Sequence, residues 1–277
     1  MHTLKRIFDF YINGSIHVAL AVCCLSSITL LHFDLPIDKP LLLFTFCASV
    51  SGYNFVKYFG MAKFYNRGLS DGLPYIKVLS LISFIAMLYF AMSLHLKTLV
   101  YLAILGFVTF FYAMPLLPKK QQIGGGISLR AVGGLKIFII GLVWTMVTVW
   151  VPLVNAEYNF DHDTLITSIQ RFLYVLVAML PFEIRDMQYD SLKLSTIPQL
   201  IGVKGTKILG TLLLIPFFFL EYLKDTIQSS SVVVLLIVMI LLMISLVMSK
   251  TQQSRYFTLF WVEAIPMFWL TLLILLI

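Results

Sequence analysis

Long apolar stretches recur along the whole chain, and they constrain the fold more than any other feature of the sequence. A helix needs roughly 20 predominantly apolar residues to cross a bilayer, and nine stretches reach or approach that length. They cover residues 16–33, 41–59, 78–96, 99–117, 135–154, 165–182, 208–223, 232–248 and 257–277. Unbroken runs of this kind lack the alternation of transmembrane β-strands. The sequence therefore predicts an all-α polytopic membrane protein with nine transmembrane helices.

The composition excludes the main alternatives to a membrane protein. Charged residues make up 12% of the chain and hydrophobic residues 60%, whereas soluble domains carry about 25% charged residues. A soluble globular enzyme and a disordered chain are therefore excluded. Only three cysteines occur, all in apolar stretches and without metal-ligand spacing, which excludes a disulfide-built secreted domain and gives no thiolate metal site. We expect one integral membrane domain over residues 1–277.

The distribution of basic residues indicates how the chain is oriented. With nine spans and a cytoplasmic N-terminus, sixteen of the 20 Lys and Arg side chains lie on the cytoplasmic side, and only Lys39, Lys97 and Lys224 lie outside. This bias follows the positive-inside rule and predicts an inner-membrane protein with its N-terminus inside and its C-terminus outside. Because the basic residues lie in short loops that set topology, the net charge of +7 does not imply a nucleic-acid partner.

The loop after the sixth span holds the most informative polar residues. Asp186 and Asp190 are four residues apart and would share one face if the helix continues. Two neighbouring carboxylates favour a divalent cation, and Mg²⁺ binds such oxygens together with water and substrate phosphates. Glu183 precedes Asp186 by three residues and could assist as a third ligand. An isolated pair with this spacing is more often a solvated helix end. The neighbouring residues therefore determine whether a metal site is the better interpretation.

Those neighbouring residues resemble the UbiA superfamily of intramembrane prenyltransferases, and the resemblance covers essentially the whole chain. The family's second aspartate-rich motif has the form RDxxxD, followed by a Thr-Leu-Pro-like turn and a glycine. The family also has a Tyr-Ser/Ala-x-Pro exit from the fourth span and basic residues before the fifth. The matching positions here are 185–190 (RDMQYD), 196–198 (TIP), Gly202, 111–118 (FYAMPLLP), Arg130 and Lys136.

The resemblance implies a site and a reaction. It implies nine helices around a central cavity open to the cytoplasm, where Mg²⁺ holds the diphosphate of an isoprenyl diphosphate. The isoprenyl group is transferred to a lipid-soluble, aromatic acceptor, and membrane lipids surround the protein; no protein partner is predicted. Asp186 and Asp190 would be the catalytic metal ligands, with Glu183 assisting. The residues expected to contact the diphosphate are Asn54, Lys57, Arg130 and Lys136.

The family's first aspartate-rich motif is degenerate in this chain. In the family an asparagine is followed directly by an aspartate, with further aspartates three and seven positions beyond. Asn54 matches, but the three aspartate positions hold Phe55, Tyr58 and Ala62. One of the family's metal sites should therefore be lost or weakened.

Basic residues occupy the same loop, and they leave several interpretations open. Lys57, Lys63 or Arg67 could replace metal charge against a phosphate, as cationic side chains can. The chain could instead have lost the standard reaction and bind a prenyl lipid or quinone without catalysis. The basic residues could also serve topology alone.

Two ionisable residues lie inside predicted spans, where they are costly in lipid. Glu263 is short and deep, which favours a polar role facing inward. Arg171 lies near a membrane surface, so its side chain could instead extend to that surface. A small transporter, in which such residues line a path, is a less favoured third function.

Overall fold

The computed structural model describes residues 2–58, 73–113, 135–188, 196–225 and 227–276, and these form helices and turns without a β-strand. The described helices are α1 (His2–Asn13), α2 (Ile16–His32), α3 (Lys39–Tyr58), α4 (Leu73–Ala91), α5 (Leu96–Ala113), α6 (Leu135–Thr145), α7 (Val151–Asn155), α8 (His162–Asp186), α9 (Ile197–Phe219), α10 (Ser229–Met248) and α11 (Ile265–Leu276). Wider π-helical turns at Met146–Trp150 and Phe257–Val262 precede α7 and α11, and a 3₁₀ turn at Leu220–Leu223 follows α9.

The apolar helices confirm an all-helical membrane architecture. Within the described ranges, six helical segments are long and apolar enough to cross a membrane. The α1–α2 pair, bent by 55°, would make a seventh. Each of the nine predicted stretches overlaps a described helix, although α3 and α5 are not among the six. The count of nine spans and the central cavity stay predictions.

The helices pack around α2 and α8. Helix α2 contacts α3, α11 and the π-helical turn Met146–Trp150, while α8 contacts α6, α9 and α10. Helix α10 in turn packs against α9 and α11. Because α11 contacts α2, these helices connect α8 back to α2. Helix α4 packs on α3, and most of its apolar side chains face outward. Close side-chain packing, rather than release of water, holds such helices together in lipid.

Arg171 ties α8 to its neighbours from inside the bundle. Its side chain is only 2% exposed, and it donates to the Leu25 carbonyl at 2.9 Å and to Thr29 Oγ1 at 3.3 Å. Its guanidinium carbon lies 5.3 Å from the ring centre of Trp269, within cation–π range. The interpretation that Arg171 extends to the membrane surface is therefore wrong, because its partners lie on α2 and α11.

Helix α8 begins at a capped turn. The Asp161 carboxylate accepts the Thr164 backbone N–H at 2.8 Å, which satisfies one of the free donors of the first turn. Asp161 also accepts the Tyr158 hydroxyl, and this hydrogen bond is the main reason that the pKa of Tyr158 is raised to about 12. The start of α8 is thus fixed at the end of the bundle opposite Asp186.

Gly210 lies where a side chain has no room, and its replacement by alanine is expected to destabilise the protein. A Cβ atom there would lie 2.5 Å from Leu246 Cδ2 and 2.7 Å from Leu180 Cδ1. Both leucines are at most 1% exposed and have little space to move. Overpacking of this kind costs about 1–3 kcal/mol. We expect Gly210→Ala to lower Tm in a detergent-based thermal unfolding assay.

Gly106→Ala is the matched control, because a Cβ atom at Gly106 would meet nothing within 4 Å. Both glycines are helical, so both substitutions gain the same helix propensity. An equal Tm for the two variants would contradict the packing at Gly210.

Candidate functional site

The joint between α1 and α2 lies at the start of the candidate site. Ser15 has a left-handed backbone with φ of 61°, which is rare for a residue other than glycine. Its hydroxyl donates to Asn54 Oδ1 at 2.8 Å, and the Asn54 amide donates to the Gly14 carbonyl at 3.1 Å. These bonds attach the bent joint to α3. Strained backbone held by its surroundings is common at functional sites.

Asn54 is occupied by structural hydrogen bonds. Its Nδ2 atom also donates to Ser80 Oγ at 2.9 Å, so both amide protons and the amide oxygen have partners. The side chain is 2% exposed. Its predicted contact with a diphosphate has no free donor in this arrangement. Asn54 instead joins α3 to α4 and to the α1–α2 joint.

Lys57 is held beside this joint. Its ammonium donates to Ser15 Oγ at 2.7 Å and retains further N–H donors. At the first missing aspartate position, Phe55 stacks on Phe110 with ring centres 6.0 Å apart. Lys57 is thus the charged side chain that α3 presents to this cluster within the described residues. The predicted contributions of Lys63 and Arg67 lie outside the described residues.

Lys136 and Glu183 form an ion pair between α6 and α8. The ammonium lies 2.6 Å from Glu183 Oε1, and the side chains are 17% and 2% exposed. A carboxylate already neutralised by an ammonium is a poorer ligand for Mg²⁺ than a free one. Mg²⁺ binding by Glu183 would therefore require this ion pair to open or to be shared, and its assisting role as a metal ligand stays a prediction. The structure places Lys136 at the end of α8 where the diphosphate was predicted.

Asp186 lies at the end of α8 beside a fixed arginine. Arg185 Nε donates to Asp186 Oδ1 at 2.8 Å, and its NH1 donates to Thr258 Oγ1 at 2.5 Å. Asp186 Oδ2 has no partner among the described residues, and the side chain is 21% exposed. The predicted partners Asp190 and Arg130 lie outside the described residues. Within the described ranges, the end of α8 therefore offers one carboxylate oxygen without a partner and a buried guanidinium.

Helix α1 and the π-helical turn Phe257–Val262 close this end of the bundle. The Asp9 carboxylate accepts both Arg255 and the Tyr256 hydroxyl. Although burial acts to lower the pKa of Arg255, the contacts with Tyr256 and Asp9 outweigh it and raise that pKa above its ordinary value. These contacts attach α1 to the residues that precede the π-helical turn.

Glu263 differs from the other carboxylates of this cluster. It is partly buried and follows the π-helical turn. Its carboxylate makes no hydrogen bond or ion pair with a described residue, yet it interacts electrostatically with Lys57 and Arg185. Sequence reasoning identified Glu263 as an inward-facing group. It did not identify Ser15, Ser80 or Thr258, because isolated hydroxyl residues in apolar helices form no pattern.

The carboxylate oxygens of the candidate site fit one Mg²⁺ ion better than two. Asp186 offers a free hard oxygen of the kind that Mg²⁺ prefers. No carboxylate of α3 faces it, because Phe55 stands at the first aspartate position. The second family metal site therefore does not fit the described residues.

A separate group of potential ligands lies at the far end of α8. Side-chain ligand atoms of His162, Asp163 and Asp225 all lie within 4.8 Å of one another. Asp163 and Asp186 are separated by roughly 35 Å along the helix, from a rise of 1.5 Å per residue. This group is therefore not part of the candidate site.

Comparison with known proteins supports the fold. A scan against protein-family models found no match, and neither did a search of curated proteins. Among solved structures, the chain is similar to the apo structure of a UbiA homolog from Aeropyrum pernix K1, with a TM-score of 0.68 and 14% identity. The match covers 94% of this chain and 98% of that one. The chain is therefore an integral, multi-pass membrane protein with the fold of a UbiA homolog, as its resemblance to that superfamily implied.

Proposed function

We propose that the protein is a prenyltransferase that moves an isoprenyl group from a prenyl diphosphate to a lipid-soluble acceptor. The observation that carries the proposal is the arrangement at the end of α8. There Asp186 keeps one carboxylate oxygen that no described residue contacts, beside the buried Arg185, in a bundle with a UbiA-like fold. The positive-inside bias of the sequence predicts that this end faces the cytoplasm, where water-soluble diphosphate heads are accessible.

The proposed reaction requires positive charge near the leaving diphosphate. When the allylic C–O bond breaks, its electron pair leaves with the diphosphate, and the allylic carbon then bonds to the acceptor, which loses a proton. Asp186, with Asp190 as predicted, would hold Mg²⁺, which supplies positive charge against the leaving diphosphate. Lys57 and Arg185 add fixed cationic charge at the same place. Lys57 thereby compensates for the aspartates that α3 lacks.

Apolar packing protects the reactive intermediate. A site with little water limits capture of the allylic cation by hydrolysis, and aromatic faces stabilise a cation through the ring quadrupole. Phe55, two residues before Lys57 on α3, stacks on Phe110 and offers an aromatic surface near the charged end. Their position is consistent with a prenyl chain that extends from the charged end into the bundle.

A direct test measures diphosphate release by the purified protein. Prenyl diphosphates from short to long are supplied with and without Mg²⁺, and released diphosphate and labelled lipid products are quantified. We expect Mg²⁺-dependent release with at least one donor length, together with a prenylated product. No release with any donor would overturn the proposal.

A second function is favoured by one observation, the replacement of the first aspartate motif by an aromatic pair. Phe55 stacked on Phe110 offers no metal ligand but suits contact with an apolar chain. A protein that binds a prenyl lipid or quinone without catalysis would retain such a ligand through purification. It would also release no diphosphate in the same assay.

A further inference from the structure

Glu263 lies at an irregular point of the last membrane-spanning segment. The preceding turn Phe257–Val262 is π-helical, and the Glu263 N–H donates to the Thr258 carbonyl five residues earlier, at 3.3 Å. Pro266 has no N–H and cannot donate to the Val262 carbonyl. Single π-helical turns inside membrane or soluble helices are found frequently at functional sites.

Among the described residues of the candidate site, Glu263 is an acid with neither carboxylate oxygen in a hydrogen bond or ion pair, whereas Asp186 uses one of its two oxygens. Glu183 is paired with Lys136, and Asp186 is paired with Arg185. Glu263, in contrast, has no hydrogen bond or ion pair with any residue that the structure describes. An unpaired carboxylate inside a membrane span is costly and is a functional candidate for that reason.

The position of Glu263 relative to the diphosphate end can be measured along the chain. Thr258 accepts from Arg185 at 2.5 Å and so marks the level of the charged cluster. Glu263 lies five residues further into the span, which is at most about 7.5 Å at the α-helical rise of 1.5 Å per residue. A diphosphate bound beside Arg185 would place its allylic carbon and the incoming acceptor at about this depth.

The charged and titratable groups that interact with Glu263 come from three helices. Lys57 of α3, Arg185 of α8 and Tyr11 of α1 all interact with it electrostatically. Tyr11 donates to His17 Nδ1 at 2.8 Å, because the other ring nitrogen of His17 donates to the Phe260 carbonyl at 2.9 Å. The imidazole therefore has no free lone pair to accept a proton.

We propose that Glu263 is the general base that removes the proton of the acceptor, which makes the acceptor a phenol-like or enol-like molecule with an acidic proton. The inference rests on the proposed prenyl transfer. As the new bond forms between the allylic carbon and the acceptor, the acceptor's O–H or C–H bond breaks. Its electron pair stays on the acceptor, and its proton passes to a Glu263 carboxylate oxygen. General base catalysis by a positioned carboxylate contributes about 10²–10⁴-fold.

The test separates ionisation of the donor from transfer to the acceptor. Isotope-labelled prenyl diphosphate is supplied to detergent-solubilised protein with a naphthol as phenolic probe and total membrane lipid extract as the pool of native acceptors. For each variant, the ratio of prenylated product to released diphosphate is measured, together with the prenyl alcohol that water capture produces. We expect Glu263→Gln to keep diphosphate release and to lower the product ratio at least 100-fold, with prenyl alcohol in its place.

Two further variants make the result specific. Glu263→Asp keeps a carboxylate and is expected to recover part of the product ratio. Glu221→Gln removes a buried carboxylate, paired with Lys224, at the far end of the bundle, and is expected to leave the ratio unchanged.

The outcomes are distinct. An unchanged ratio in Glu263→Gln, or an equal loss of release and product in both Glu263 variants, would overturn the role as base. Wild-type protein that releases diphosphate but forms no prenylated product would overturn it too. Absence of diphosphate release from wild-type protein would instead refute the proposed function itself.

Discussion

Asp186→Asn is expected to reduce Mg²⁺-dependent diphosphate release by at least 100-fold. The substitution removes the free carboxylate oxygen at the end of α8 and the partner of Arg185 in one step. A neutral amide is a weak Mg²⁺ ligand, and loss of one group that stabilises developing charge costs about 10²–10³-fold in rate. The measurement is the initial rate of diphosphate release against Mg²⁺ concentration, for wild-type and variant protein.

Asp163→Asn is the matched control for this experiment. It makes the same chemical change on the same helix, but at the far end, where the Asp163 side chain accepts the Asp225 backbone N–H. An asparagine oxygen can keep that bond, so release should stay near the wild-type rate. Comparable losses in the two variants would mean that α8 carboxylates act on stability rather than on the reaction.

Much of the architecture could be predicted from apolar patterning alone. Every predicted stretch overlaps a helix because about 20 apolar residues have few other stable arrangements in lipid. The two π-helical turns could not be predicted, since an extra residue in a turn leaves the composition unchanged. The bend at Ser15 could not be predicted either. Its left-handed backbone is held by contacts with Asn54 and Lys57 of α3, which are distant in the sequence.

The candidate site was predicted in part. Lys57, Lys136 and Asp186 lie at one end of the bundle, and their roles toward the diphosphate and Mg²⁺ stay predictions. The involvement of Asn54 in a structural network was not predictable, because its partners Ser15 and Ser80 are 39 and 26 residues away. The pairing of Glu183 with Lys136 was missed for the same reason. Local spacing in the sequence identifies polar side chains that could bind a ligand. Contacts between residues distant in the sequence determine which of these side chains are already hydrogen-bonded or ion-paired.

Lys136→Met is expected to destabilise the protein strongly. It leaves the Glu183 carboxylate, which is 2% exposed, without its ammonium partner. Removing one member of a buried ion pair costs about 3–5 kcal/mol, because the remaining charge has lost both water and its counterion. In thermal unfolding in detergent, this corresponds to a fall in Tm on the order of 10 °C. Glu183→Gln should cost less, because Lys136 is 17% exposed and can reach water.

The double variant Lys136→Met/Glu183→Gln separates stability from function. Without a buried charge, it should recover most of the Tm lost in Lys136→Met, and a cost below about 1 kcal/mol for that single change would contradict a buried pair. If the recovered protein still releases diphosphate in a Mg²⁺-dependent way, the pair is structural. If release is lost while Tm is restored, and Glu183→Gln alone keeps release, Lys136 contacts the diphosphate as predicted. The pair would then exchange partners when substrate binds, with the Lys136 ammonium moving from Glu183 to the diphosphate.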